Sequence, residues 1–222
     1  MAGTIPLDGT ARIAVVGAGA IGCAVLPRLA RMRVAAITII DGDTVEAANL
    51  ERQDLYAEVD VGHPKASTAR GWVQHIGPAI DVIAVDRFLD ATNADDLLRG
   101  HHVVVEAVDD LHAKRLVEER CAALGVPVVS GAVHRREAQV LVLHAPGADT
   151  ALRRNDIFRG AVGPEQDGCD MRQVPLELID AVGARLATIT RAIIAGAPVA
   201  NGALETLRHG RHEWTVYAPP IS

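Results

Sequence analysis

The stretch Arg12-Ile-Ala-Val-Val-Gly17-Ala-Gly19-Ala-Ile-Gly22, followed by Ala36-Ile-Thr-Ile-Ile40 and Asp41, decides the fold. Residues up to Val16 are apolar and β-branched, which predicts a buried strand. The three glycines then open an apolar-periodic segment that reaches about Met32 and predicts a helix. Residues 36–40 form a second short strand, which completes a strand–turn–helix–strand unit of roughly 30 residues. A right-handed crossover makes its two strands parallel neighbours.

The alternation continues outward from that unit. Residues 64–76 predict a helix opened by Pro64 and closed by Gly77-Pro78. A strand at 81–85, a short helix at 95–99 and a buried strand at 102–107 follow. The helix at 111–124 stops at Gly125, and strands are expected at 126–130 and 138–144. After Pro146 the sequence turns rich in Gly, Asp and Arg and loses its period through Gln173, which reads as a long crossover or lid loop. Residues 176–194 predict a helix with Leu178, Ile179, Val182, Leu186, Ile189 and Ile193 on its apolar face, and 213–217 a last strand. The expected fold is α/β: a doubly wound, Rossmann-like, mostly parallel sheet with antiparallel strands at the C-terminal side. The expected organisation is a core over 1–146, a loop over 147–175, and a C-terminal helix and strand over 176–222 that complete the same domain.

Composition supports that class. Of 222 residues 49 % are hydrophobic but only 3 % aromatic, so the core must be built from Ala, Val, Ile and Leu. Lys and Arg number 22 against 28 Asp and Glu, a net charge of −6 that disfavours a dedicated nucleic-acid binder. Cys23, Cys121 and Cys169 form no C-x-x-C pair and no even framework, which argues against structural zinc and disulfides and for a reducing cytoplasm. No basic-then-apolar leader is visible at the N-terminus. The late apolar stretch is broken by Glu177, Asp180, Arg185 and Arg191, so no membrane segment is expected.

Gly17, Gly19 and Gly22 suit a tight turn, a backbone approach to phosphate and close helix-on-strand packing, with the free N–H groups of the helix start aimed at an anion. Asp41, ending the second strand, is placed to accept from ribose hydroxyls. By itself this unit would suggest NAD. The next residues argue otherwise, because Asp41, Asp43, Glu46, Asn49, Arg52 and Gln53 crowd the carboxyl end of that strand and Lys65 opens the following helix. An arginine fork and a lysine point charge suit a triphosphate whose charge must be neutralised as pyrophosphate leaves.

The pattern Gly17-x-Gly19-x-x-Gly22, Asp41-x-Asp43-x-Val45-Glu46-x-x-Asn49-Leu50-x-Arg52-Gln53, Asp60-Val-Gly62-x-x-Lys65-Ala66 and Glu106-Ala-Val-Asp109-Asp110 resembles the ThiF/MoeB/HesA family, adenylating enzymes related to the ubiquitin-activating enzymes. The stretch from Cys121 through Gly125, Pro127 and Ser130 to Ala132 is similar as well. The resemblance spans about residues 12–144. It implies that Asp41 holds the ATP ribose, that Asn49, Arg52 and Lys65 hold the phosphates, and that Asp109 holds Mg²⁺. Arg52, Lys65 and Asp109 are then the catalytic set, with Asp43, Gln53 and the three glycines completing the nucleotide site. The reaction implied is attack of a carboxylate on the α-phosphate of MgATP. In the family that carboxylate is the C-terminal glycine of a ubiquitin-like or sulfur-carrier protein ending in Gly-Gly, and the enzyme is a homodimer.

The sequence also departs from the family. Many members carry paired C-x-x-C zinc knuckles, which are missing here, so no zinc is expected. Asp110 stands where Asn is usual, and Lys114 or Arg115 stands near a family arginine. Only about eleven residues precede the first strand and Arg12 lies within it. The arginine that relatives send from an N-terminal segment into the partner's site is therefore expected to be absent or to come from elsewhere. Cys169 sits on the crossover loop where some relatives place an acyl- or sulfur-accepting thiol, although Asp167 and Asp170 would raise its pKa. A catalytic thiol and an incidental loop cysteine both remain open readings.

Cys23 and Cys121 read as small core residues. The pairs Arg135-Arg136 and Arg153-Arg154 read as solvated faces, and the histidines at 101, 102, 134, 209 and 212 as non-ligands. Three other functions compete: activation of a tRNA-linked or peptide carboxylate, an inactive nucleotide-binding partner subunit, and an NAD dehydrogenase.

Overall fold

A computed structural model describes residues 9–148, 152–158 and 173–217. The chain runs β1 (Arg12–Val16), α1 (Ala20–Leu29), β2 (Ala36–Ile40), α2 (Lys65–Ile76), β3 (Asp81–Val85), α3 (Ala94–Leu98), β4 (Val103–Glu106), α4 (Leu111–Leu124), β5 (Val128–His134), β6 (Glu137–Leu143), α5 (Arg154–Ile157), α6 (Leu176–Ile194), β7 (Leu204–Arg208) and β8 (Thr215–Tyr217). Single turns of 3₁₀ helix at Ala47–Asn49 and Glu58–Asp60 lie between β2 and α2.

One eight-stranded sheet runs in the order β3-β2-β1-β4-β5-β6-β7-β8. The first five of these strands are parallel, and β6, β7 and β8 are antiparallel. In β1, Ile13 and Val15 face a core shared with α1, α2 and α6, whereas Ala14 and Val16 face a second core shared with α3 and α4. Both faces of the strand are covered, so it reads as an unbroken apolar run. Val15 pairs in register with Ile39 on one side and Val105 on the other.

This order places the site. The chain winds outward from β1 through β2 to β3 and then returns to β4 on the other side of β1, so the carboxyl ends of β1 and β4 flank the switch-point crevice where α/β sheets bind ligands. The two ends are tied by Ala107, whose N–H donates to the Val16 carbonyl at 2.8 Å. Gly17 sits between them with φ +96, and a Cβ there would lie 2.8 Å from the Ala107 carbonyl oxygen. Only glycine meets both demands.

On the opposite side, α6 buries all six apolar positions expected from its sequence, each contributing roughly 1.5–3 kcal/mol. It lies against α1 so closely that a Cβ on Gly183 would come within 2.7 Å of the Ala24 side chain. Among the described residues no helix is long and apolar enough to cross a membrane.

The structure departs most from the sequence reading at three places. Strand β7 was not expected, because Leu204-Glu-Thr-Leu-Arg alternates weakly by itself and gains its partners only from β6 and β8. The expected strand at 126–130 lies instead at Val128–His134, where it forms a hairpin with β6 through a two-residue connection with Arg135 in the left-handed region at φ 51. The stretch read as irregular contains α5.

Candidate active site

The glycine turn is fixed from outside itself. Asp41, one residue beyond β2, accepts the Ala18 N–H on Oδ2 at 2.6 Å and the Asp43 N–H on Oδ1 at 2.8 Å. One carboxylate thereby stitches the β1 turn to the loop after β2. Burial pushes the Asp41 carboxyl above its ordinary pKa, while the two N–H bonds and nearby Lys65 pull the other way.

The glycines divide the labour. A Cβ on Gly22 would sit 2.3 Å from the Gly17 carbonyl oxygen, so that glycine permits α1 to start where it does. A Cβ on Gly19 would meet nothing nearer than Gln53 Nε2 at 4.0 Å. Gly19 therefore fronts open space, the cradle that a phosphate would fill. The Gln53 side chain is buried beside it, and its Oε1 finds no hydrogen-bond partner among the described residues.

Lys65 is the first residue of α2, where its buried amine donates to Asp43 Oδ2 at 3.2 Å and its N–H to the Asp43 carbonyl at 2.9 Å. Asp43, itself held by Asp41, thus fixes the lysine at both ends. Asn49 and Arg52 lie in the chain between β2 and α2. The Arg52 N–H donates to the Asn49 carbonyl at 3.0 Å, the Asn49 amide to Glu46 Oε2 at 3.3 Å, and the mostly covered guanidinium lies 3.6 Å from Glu51.

Asp109 projects from the β4–α4 turn on the other side of the crevice. Its side chain is exposed, and no hydrogen bond or salt bridge among the described residues engages its carboxylate. Asp110 acts locally, because its Oδ1 accepts the Ala113 N–H at 2.7 Å and caps α4. An N-cap accepts Asp as readily as Asn, which accounts for the departure from the family pattern at this position.

Sequence reasoning missed the cluster beneath Asp109. Fully buried Glu106 accepts Lys114 Nζ at 2.6 Å and the Val108 N–H at 3.2 Å on one oxygen, and the Ser130 hydroxyl at 2.6 Å and Arg154 Nη2 at 3.1 Å on the other. Arg154 also lies 3.8 Å from Glu118. The expectation of a solvated Arg153-Arg154 face is therefore corrected for Arg154, which is buried by its ion pairs to Glu106 and Glu118. Lys114, likewise buried, has its amine pushed down by desolvation and held up by Glu106. A glutamate closing an apolar strand was the available signal, since it needs cations to be tolerated there.

Cys169 lies outside the described residues. Cys23 and Cys121 are buried, and burial pushes both thiols up to about 12, which makes them inert core residues. His101 bonds Thr38 and the Leu98 carbonyl, and His102 accepts the Arg12 N–H. His209 lies 2.6 Å from Glu177, a carboxylate partner that the sequence reading did not assign.

A family model described as the ThiF family matches residues 9–215. The chain is 35 % identical to the SAMP-activating enzyme E1 of Haloferax volcanii over 62 % of this chain and 51 % of that protein. It is 38 % identical to the molybdopterin-synthase adenylyltransferase of Salmonella typhimurium, over 60 % and 53 %, and 39 % identical to the sulfur carrier protein adenylyltransferase of Thermus thermophilus, over 61 % and 50 %. It thus spans about half the length of these curated relatives. The crystal structure of E. coli MccB superposes with a TM-score of 0.83 at 19 % identity, over 97 % of this chain and 64 % of that one, a likeness of fold.

Proposed function

The chain belongs to the ThiF family, and from that premise we propose that it is an ATP-dependent adenylyltransferase that activates the C-terminal glycine carboxylate of a ubiquitin-like or sulfur-carrier protein. One observation carries this reading. The open glycine cradle follows β1, the Asp41–Asp43–Lys65 chain follows β2, and exposed Asp109 follows β4, so all three lie beyond the carboxyl ends of neighbouring parallel strands at the topological switch point.

In this reading Asp41 accepts from the ribose hydroxyls while its Ala18 bond holds the turn. Amides at the start of α1, together with Lys65, Asn49, Arg52 and Gln53, bind and orient the phosphates. The exposed Asp109 carboxylate fits a magnesium ion, which when bound neutralises phosphate charge. The attacking carboxylate is already ionised at pH 7 and needs no general base. Its oxygen bonds to the α-phosphorus, the bond to the bridging oxygen breaks, and pyrophosphate leaves with that electron pair. The residues contribute positioning and charge neutralisation, the terms that dominate such transfers. The names of the relatives support a ubiquitin-like or sulfur-carrier partner; its Gly-Gly ending and a homodimeric enzyme are further parts of the proposal.

Incubation with MgATP and a panel of Gly-Gly-ending carrier proteins tests it, with mass spectrometry reading an adenylyl adduct on the carrier. No adduct on any carrier, with thermal stabilisation by NAD rather than ATP, would overturn the proposal. Replacing Cys169 by Ala asks a separate question: adenylation that survives while any later acyl or sulfur transfer stops would assign that thiol to the second step.

A further inference from the structure

We propose that Tyr56 is a positioning residue for the nucleotide, aiming the Gly19 N–H of the glycine turn and the start of α2 at one ligand; this rests on the ATP reading above. Tyr56 is buried in the loop between the two 3₁₀ turns, far from Ala18 in sequence. Its hydroxyl donates to the Ala18 carbonyl at 2.8 Å and lies 3.3 Å from the Lys65 carbonyl. The Cys23 thiol lies 3.5 Å from the same Ala18 oxygen.

Ala18 is thereby held at both ends, its N–H by Asp41 and its C=O by Tyr56. The next peptide plane follows from this. In a trans peptide the C=O and the following N–H point in opposite directions, so a carbonyl drawn toward buried Tyr56 turns the Gly19 N–H away from it. Among the described residues no acceptor takes the Gly19 N–H, and a Cβ on that residue would meet nothing nearer than Gln53 Nε2 at 4.0 Å. The first bond of α1 runs from the Cys23 N–H to the Gly19 carbonyl at 2.8 Å, so the amides ahead of Cys23 are those a helix leaves for a ligand. The hydroxyl has one proton to donate. It is shared unequally, mainly with the Ala18 carbonyl at 2.8 Å and more weakly with the Lys65 carbonyl at 3.3 Å, so one donor ties the base of α2 to the turn. Burial raises the phenol's pKa, which keeps it a donor across the working pH range.

Tyr56→Phe keeps the ring and removes the donor. The expected result is a Kd for MgATP raised about tenfold by calorimetry, a KM for ATP raised in parallel, kcat within about twofold, and a native circular-dichroism spectrum. A purely structural role would lower the melting temperature and leave Kd unchanged; a Kd within twofold of wild type overturns the inference. If the variant does not fold, Cys23→Ala, which removes the weaker contact to the same carbonyl, decides instead: a Kd raised clearly more than twofold supports the role of that carbonyl's orientation and a Kd within twofold of wild type contradicts it. Failure of the wild-type protein to bind MgATP would overturn both this inference and the proposed function. Binding by wild type with an unaffected variant would overturn the role of Tyr56 alone.

Discussion

Asp41 and Ala18 are joined by a 2.6 Å hydrogen bond from the Ala18 N–H to the buried carboxylate, so the residue proposed to hold the ribose also sets the shape of the turn proposed to bind the phosphates. Both oxygens of that carboxylate are occupied by backbone N–H groups. The two parts of the proposed nucleotide site cannot be perturbed separately through this side chain.

A pH dependence follows from it. Burial raises the Asp41 carboxyl above its unfolded value, so ionised Asp41 costs stability at neutral pH, and that cost is relieved as pH falls through the folded pKa. Binding responds in the opposite sense, because protonation removes an acceptor. Affinity for MgATP is expected to weaken on acidification, beginning above the ordinary carboxylate range. In Asp41→Asn, whose NH₂ would face one of the two N–H donors, affinity should be about tenfold or more weaker and should lack that acid limb. Titration calorimetry from neutral pH down toward the ordinary Asp pKa of about 3.9 reads both.

The two glycines give a contrasting pair. Gly22→Ala would place a methyl 2.3 Å from a backbone oxygen, and a loss of about 1–3 kcal/mol in urea unfolding is expected. Gly19→Ala has room in the empty turn, so stability should change by less than about 1 kcal/mol while MgATP binding falls steeply. Equal stability losses in the two variants would contradict the assignment of Gly19 to the ligand.

The cluster under Asp109 should be a stability determinant. Lys114→Met leaves fully buried Glu106 with one fewer cation, and breaking one partner of a buried pair costs about 3–5 kcal/mol. Equilibrium urea denaturation measures this. Arg154→Met should cost a comparable amount, because it removes the 3.1 Å contact to Glu106 and the bond to Ser130.

The buried thiols should resist alkylation. With Cys23 and Cys121 pushed to about 12 and covered, iodoacetamide at pH 8 should leave both unmodified in the native protein and modify both in urea. Peptide mass spectrometry identifies the sites, and rapid labelling of either cysteine in the folded protein would contradict the packing described.

What could be read from the sequence was local. The β1–turn–α1–β2 unit has strong periodicity and glycines whose roles are mechanical, and Asp41, Asp43, Lys65 and Asp109 sit within a few residues of strand or helix ends. Partners brought together by tertiary folding were not legible. Arg154 meets Glu106 and Tyr56 meets Ala18 across long separations, so nothing near either residue announces its burial. Strand β7 was missed for a related reason, since its weak alternation acquires meaning only beside β6.

Whether this crevice transfers an adenylyl group under the control of Asp109 is best read by isotope exchange between radiolabelled pyrophosphate and ATP. The exchange is measured in wild type and Asp109→Ala, with and without a Gly-Gly-ending carrier protein and magnesium. Carrier-dependent exchange is expected in wild type, with a loss on the order of 100-fold or more in the variant and an unchanged melting temperature, because the carboxylate is exposed. Exchange that persists in Asp109→Ala at the wild-type rate would contradict that role.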